Sequence, residues 1–117
     1  SVHAQDLVSP PAGGVLDHLE AVIRERKAKP RPDSYTCRLL DEGLPRIGQK
    51  LGEEAVETVV AALSESDERL VNEMADLVYH SLVLLAARGL TLADVEAELA
   101  RREGVSGVAE KAARKPG

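Results

Sequence analysis

The sequence contains no Phe and no Trp, and it has only two Tyr and one Met among 117 residues. Its core must therefore be built from Leu, Val, Ile and Ala, which pack well between helices but bury less area per residue than aromatic side chains. A domain of this size buries only about two thirds of the surface of its unfolded chain. We therefore expect the chain to bury more surface by forming a homodimer.

Several classes of protein are disfavoured by what is missing. The single cysteine, Cys37, excludes an intrachain disulfide framework and a cysteine-rich zinc site. The net charge of −5 argues against a protein that binds nucleic acid through bulk electrostatics. No uninterrupted apolar run approaches the roughly 18 residues that span a bilayer, and the amino terminus lacks the pattern of a secretory signal. We expect a cytoplasmic protein without nucleic-acid or membrane partners.

The apolar residues recur with helical spacing, and no segment shows the alternation of a strand. The pattern predicts an all-α fold, a compact bundle of about five helices. The expected organisation is a flexible leader over 1–14, a helical domain over 15–103 and a C-terminal tail over 104–117. The tail carries clustered positive charge at Lys111, Arg114 and Lys115. This charge suggests either a disordered solubilising segment, which we favour, or a lid that closes over phosphates.

A long helix predicted over 44–63 carries acidic residues on one flank. At 100° per residue, Glu53, Glu54 and Glu57 share that flank, with Arg46 and Lys50 a turn or two earlier. The opposite side is apolar: Ile47, Leu51, Ala55, Val59 and Leu63. Such an acidic flank alone is compatible with simple solvation. The two cations either hold phosphate oxygens or form i,i+4 pairs with neighbouring glutamates.

The next predicted helix, over about 68–88, is apolar in nearly every direction, which is typical of a helix buried on all sides. Glu73, Asp76 and His80 nevertheless share one stripe of it. Buried carboxylates cost several kcal/mol unless they are paired or bound to metal, and Arg69 on the same stripe cannot neutralise them all. An all-carboxylate set suits Mg²⁺, or Mn²⁺ as a substitute. A di-iron bundle is disfavoured because the chain lacks paired Glu-x-x-His motifs.

The spacing of these acids resembles a known motif. Glu54-x-x-Glu57, then fifteen intervening residues and Glu73-x-x-Asp76, is similar to the magnesium motif of the all-α nucleoside-triphosphate pyrophosphohydrolase superfamily. Three stretches resemble its phosphoribosyl-ATP pyrophosphohydrolase branch: Ser34-Tyr35-Thr36 with Leu39-Leu40, the run from Gly43 to Glu54, and the run from Ala75 to Leu85. The resemblance extends from Val15 to about Glu103.

The resemblance implies Mg²⁺-dependent hydrolysis of phosphoribosyl-ATP to phosphoribosyl-AMP and pyrophosphate, the second step of histidine biosynthesis. It also implies a helical bundle that dimerises, which we expect to occur through the long central helices. The expected metal ligands are Glu54, Glu57, Glu73 and Asp76, and with Glu53 they form the expected catalytic set. The expected substrate-binding residues are Arg46, Lys50, Tyr35 and His80, although a histidine on such a stripe is more often a hydrogen-bonded core residue.

Two other functions remain open at this point. A house-cleaning pyrophosphohydrolase acting on nucleotides such as dUTP or dCTP would share the metal site. A non-catalytic helical dimerisation module would have no metal site, and the acidic stripe on an apolar helix argues against this alternative. The number of magnesium ions, the phosphorus attacked and the general base are not determined by the pattern.

Overall fold

The computed structural model describes residues 14–104, so most of the predicted leader, the predicted tail and its cations Lys111, Arg114 and Lys115 lie outside the described residues. The described part contains five helices and no strand. They are α1 (Val15–Ala28), α2 (Tyr35–Glu42), α3 (Leu44–Ser64), α4 (Asp67–Ala87) and α5 (Leu92–Glu103). The predicted all-α fold is confirmed.

Local capping explains why the helices begin where they do. The Ser34 hydroxyl accepts a hydrogen bond from the first turn of α2, Ser66 does the same for α4, and Thr91 begins α5 with a capping box. Between α2 and α3 the chain reverses at Gly43, whose φ of 90° favours glycine. Pro45 then occupies the first turn of α3, where its missing N–H costs no hydrogen bond.

The core lies around the C-terminal half of α4, which packs against α3 and α1, while α2 closes one side. Tyr79 is fully buried there, and its hydroxyl is hydrogen-bonded to that of Thr36 on α2. The polar atoms of this aromatic residue are thereby satisfied inside an otherwise aliphatic core. The remaining members of the core cluster are Leu19, Ile23, Leu39, Ile47, Leu82, Val83 and Ala86.

Within one chain α4 is only partly covered, although its apolar pattern is typical of a helix buried on all sides. Val71 and Met74 in its N-terminal half are 68% and 45% exposed. The reason is that α1 and α3 together cover only part of the circumference of α4, so a strip of apolar surface faces outward.

By length and composition alone, α4 is the described helix that could cross a membrane, with a mean hydropathy of 1.3 over its most apolar window. The core helix of a soluble protein meets the same criterion. Glu73 and Asp76 lie within this helix and are buried, and Glu73 faces two acids of α3.

The orientation of α3 also differs from a simple amphipathic arrangement. Its buried residues are Ile47, Glu54, Thr58 and Ala61. The helix therefore turns part of its acidic flank inward, while Leu63 of the predicted apolar side is 82% exposed. Glu54 thereby comes close to Glu73 of α4.

Helix α5 is peripheral and contains no buried residue. It is attached through its first turn, where Leu92 packs against the core cluster and its backbone N–H donates to the Glu20 carboxylate of α1 at 2.5 Å.

Candidate active site

Three of the predicted metal ligands come together where α3 meets α4. One carboxylate oxygen from each of Glu54, Glu57 and Glu73 lies within 4.8 Å of the other two, and we call these three residues the carboxylate cluster. The i,i+3 spacing on α3 directs Glu54 and Glu57 to neighbouring positions, and α4 brings Glu73 across from them. Glu54 and Glu73 are buried, whereas Glu57 is exposed, so the cluster is open to solvent on one side.

The electrostatics of Glu54 reflect this crowding. Burial, together with the neighbouring Glu57 and Asp76 carboxylates, raises the pKa of Glu54 to about 7, and the positive charge of Lys50 only partly opposes this. Its Oε2 atom is buried and has no hydrogen-bond partner among the described residues. A buried carboxylate oxygen in this state needs either a proton or a cation.

The other two predicted acids lie beside the cluster in different ways. Asp76 is buried one turn further along α4, and its charge acts on Glu54. Glu53 points away: it accepts a hydrogen bond from Gln49 Nε2 at 3.0 Å, and this bond is the main reason that its pKa is lowered. The structure thus places Asp76 next to the cluster and Glu53 on the exposed flank outside it.

The two predicted phosphate-binding cations are not equivalent. Lys50 Nζ lies 3.6 Å from Glu53 Oε1 and 4.0 Å from Glu54 Oε1, at the edge of the cluster. Arg46 pairs instead with Glu42 at 3.4 Å, on the exposed surface one turn earlier. Lys50 is therefore the better placed of the two to meet an anion bound at the cluster.

One further cation, Arg69, received no functional role from the sequence pattern. Its Nη2 donates to Glu73 Oε2 at 2.6 Å, and its Nε donates to Glu65 at 3.3 Å. The i,i+4 spacing of Arg69 and Glu73 is the signal that predicts this pair. Because Arg69 engages one oxygen of a cluster carboxylate, it helps to set the direction of that side chain.

Tyr35 and His80 are hydrogen-bonded to each other, with 3.2 Å between Tyr35 Oη and His80 Nε2. The other ring nitrogen, His80 Nδ1, is 2.7 Å from the carbonyl oxygen of Asp76. His80 is 3% exposed, and burial lowers its pKa. Both ring nitrogens of this buried side chain therefore lie within hydrogen-bond distance of protein atoms, and Tyr35 is the partner on the α2 side.

Tyr35, the first residue of α2, is only partly buried and packs against the core cluster. Burial raises the pKa of its hydroxyl, while the charges of Lys50 and Arg46 oppose the rise. Its ring is stacked on Tyr79 with 6.2 Å between centroids, and the Arg38 guanidinium lies 5.6 Å from its centroid.

Known proteins are similar to this chain over most of its length. The sequence model of the family described as phosphoribosyl-ATP pyrophosphohydrolase matches residues 16–103. A phosphoribosyl-ATP pyrophosphatase of Rhizorhabdus wittichii is 54% identical over 89% of this chain and 98% of its own length. A protein of the same name in Pyrobaculum calidifontis is 62% identical over 75% of this chain and 94% of its own length. Another in Erythrobacter litoralis is 57% identical over 85% of this chain and 95% of its own length. The chain belongs to the phosphoribosyl-ATP pyrophosphohydrolase family.

Proposed function

We propose that this protein hydrolyses phosphoribosyl-ATP to phosphoribosyl-AMP and pyrophosphate with Mg²⁺, or with Mn²⁺ as a substitute, as the second step of histidine biosynthesis. Membership of the family makes the chain a phosphoanhydride hydrolase, and its relatives carry the name of this substrate. The observation that supports the metal dependence is the carboxylate cluster, in which three acids from two helices converge within 4.8 Å.

The cluster fits a hard divalent cation. All of its donors are carboxylate oxygens, the ligands that magnesium prefers, and the buried Glu54 Oε2 has no hydrogen-bond partner among the described residues. Glu54, Glu57 and Glu73 would hold the ion, and Asp76 would contribute from the next turn of α4. Bound magnesium would neutralise the negative charge that develops on the phosphate oxygens as the anhydride is cleaved.

The remaining side chains would bind and orient the substrate. Lys50 would exchange its contact with Glu53 for a phosphate oxygen, because the charge-assisted bond to a polyanion is stronger than a half-exposed ion pair. Arg46 would extend the same positive edge by one helical turn. Arg69 would keep the Glu73 carboxylate directed into the cluster through its 2.6 Å contact.

We also propose that the active form is a homodimer. The outward face of α3 carries four exposed apolar residues: Val56, Val59, Val60 and Leu63. A second apolar surface is a groove of about 570 Å³ between α1 and α4, lined by Val15, Leu16, Leu19, Leu70, Val71, Met74, Ala75 and Val78. Contiguous exposed apolar surfaces of this kind mark protein interfaces. A second copy of the chain supplies matching apolar helices.

The decisive experiment measures pyrophosphate release from phosphoribosyl-ATP, ATP, dUTP and dCTP, with Mg²⁺ and with EDTA. We expect phosphoribosyl-ATP to be hydrolysed with much the highest kcat/KM, and only when the metal is present. Preferred hydrolysis of dUTP or dCTP would support a house-cleaning enzyme instead. Absence of release from all four substrates would contradict the proposal and favour a non-catalytic module.

A further inference from the structure

The hydrogen bonds around His80 determine the direction of the bond to Tyr35. The Asp76 carbonyl can only accept, so His80 Nδ1, at 2.7 Å from it, must carry a proton. In a neutral imidazole the other nitrogen, Nε2, is then an acceptor. The Tyr35 hydroxyl, at 3.2 Å, consequently donates its proton to His80.

A phenol that donates its proton inward can act only as an acceptor toward any bound molecule. Phosphate oxygens near neutral pH are also mainly acceptors, so they gain no hydrogen bond from such an oxygen. The nucleoside part of a nucleotide does offer donors, in its ribose hydroxyls and in the nitrogen substituent of its purine. Tyr35 contacts His80, which lies one helical turn after Asp76 on the stripe of α4 that also carries Glu73, so its hydroxyl is on the same side of α4 as the carboxylate cluster.

The ring of Tyr35 is held by contacts other than His80. It stacks on Tyr79, whose hydroxyl is bonded to Thr36, and the Arg38 guanidinium lies over its face. Among the described contacts, these restrain the position of the ring, whereas the contact with His80 acts on the hydroxyl itself. The specific contribution of His80 is therefore to set which way the hydroxyl points.

We propose that His80 is a positioning residue that keeps the Tyr35 hydroxyl as an acceptor for a hydrogen-bond donor in the nucleoside part of the substrate. The proposal rests on the proposed function only in taking the substrate to be a purine nucleotide. Tyr35 thereby selects for the nucleoside, whereas the carboxylate cluster and Lys50 act on the phosphates.

Two substitutions of His80 separate this role from a purely structural one. In His80→Gln, the longer side chain brings a carbonyl oxygen to the position of Nε2 and keeps an acceptor for Tyr35. In His80→Asn, the shorter amide reaches only the position of Nδ1, which keeps the bond to the Asp76 carbonyl and removes the acceptor. We expect His80→Asn and Tyr35→Phe each to raise KM about tenfold with kcat changed less than about twofold, and His80→Gln to stay near wild type.

The double variant Tyr35→Phe with His80→Asn completes a thermodynamic cycle. We expect it to be no worse than either single variant, because both remove the same interaction. Additive losses, or equal impairment in the Gln and Asn variants, would overturn the proposal. Circular dichroism and thermal midpoints establish that each variant is folded before its kinetics are interpreted.

Two measurements do not depend on turnover. Nitrogen-15 NMR of labelled histidine should show His80 protonated at Nδ1 alone. The signals of His80 are identified as those that disappear in His80→Asn, and protonation at Nε2 would overturn the proposed direction of the hydrogen bond.

Equilibrium binding should then compare AMP, 2′-deoxy-AMP, 3′-deoxy-AMP and purine riboside monophosphate, which lacks the amino group. We expect wild type to bind one of these analogues several-fold more weakly than AMP, and Tyr35→Phe to bind that analogue and AMP equally. The group that this analogue lacks is then the donor. Equal affinities in wild type, or no binding, would count against donor recognition.

Discussion

Replacing Glu54 by Gln should stabilise the metal-free protein while destroying its response to magnesium. The substitution keeps the shape of the side chain and removes a charge that is buried without a hydrogen-bond partner for Oε2 among the described residues. In the folded protein, burial and the neighbouring acids raise the pKa of Glu54 from 4.5 to about 7. The folded chain therefore binds this proton more tightly than the unfolded chain does.

The sign of the effect follows from that difference in pKa. Stability linked to the proton is fully present below the unfolded-state pKa of about 4.5 and is lost as the pH rises through about 7. Each pKa unit corresponds to about 1.4 kcal/mol, so the full shift has an upper limit near 3.4 kcal/mol. Because the cluster is open to solvent on one side and neighbouring carboxylates share the proton, we expect about 1–3 kcal/mol of destabilisation at alkaline pH.

Urea denaturation in EDTA at about pH 5 and about pH 8 measures this directly. We expect Glu54→Gln to exceed wild type in free energy of unfolding by about 1–3 kcal/mol at the higher pH, and by much less at the lower one. Added Mg²⁺ should stabilise wild type and leave the variant unchanged. The matched control is Glu53→Gln on the exposed flank, which should show no such gain. Equal stability of Glu54→Gln and wild type at the higher pH would refute the reasoning.

Three shorter predictions test the rest of the site and the assembly. Glu57→Ala should abolish Mg²⁺-dependent pyrophosphate release with the fold retained by circular dichroism; normal turnover would remove Glu57 from the metal site. Lys50→Ala should lower kcat/KM by about one to two decades through loss of a charge-assisted hydrogen bond of roughly 1.5–3 kcal/mol, and Arg46→Ala should lower it by less. Full activity in both variants would show that neither side chain binds phosphate. Light scattering should give the mass of a dimer for wild type and of a monomer for Leu63→Lys on α3, whereas Leu99→Lys on the exposed α5 serves as the matched control and should stay dimeric.

The helix boundaries could be predicted because the signals that set them are local. Ser34, Ser66 and Thr91 each stand immediately before a helix and cap it as their positions indicate. The convergence of Glu54 and Glu73 was also predictable. Helical spacing places each acid on a definite stripe of its helix, and buried carboxylates are costly unless they share a cation, which favours packing of the two stripes against each other.

What could not be predicted depends on contacts between distant segments. The Tyr35–His80 hydrogen bond joins residues 45 apart, and no periodicity within either helix predicts it. The apolar pattern also did not reveal which side of α3 its own chain covers: Leu63 belongs to an apolar side, yet it is 82% exposed. A single sequence records that a surface is apolar but not whether its own chain or another chain covers it.

The peripheral attachment of α5 has a consequence for the dynamics of the protein. Because the helix has no buried residue and is anchored mainly by Leu92 and by the Glu20 carboxylate at its first turn, little apolar surface is exposed when it opens. Its opening free energy should be far below that of global unfolding. Amide hydrogen exchange would then separate the molecule into two units, with α5 exchanging quickly and the α3–α4 pair exchanging only when the whole bundle unfolds. On this expectation the carboxylate cluster lies on the slowest-exchanging part of the protein, and opening of α5 should leave it undisturbed.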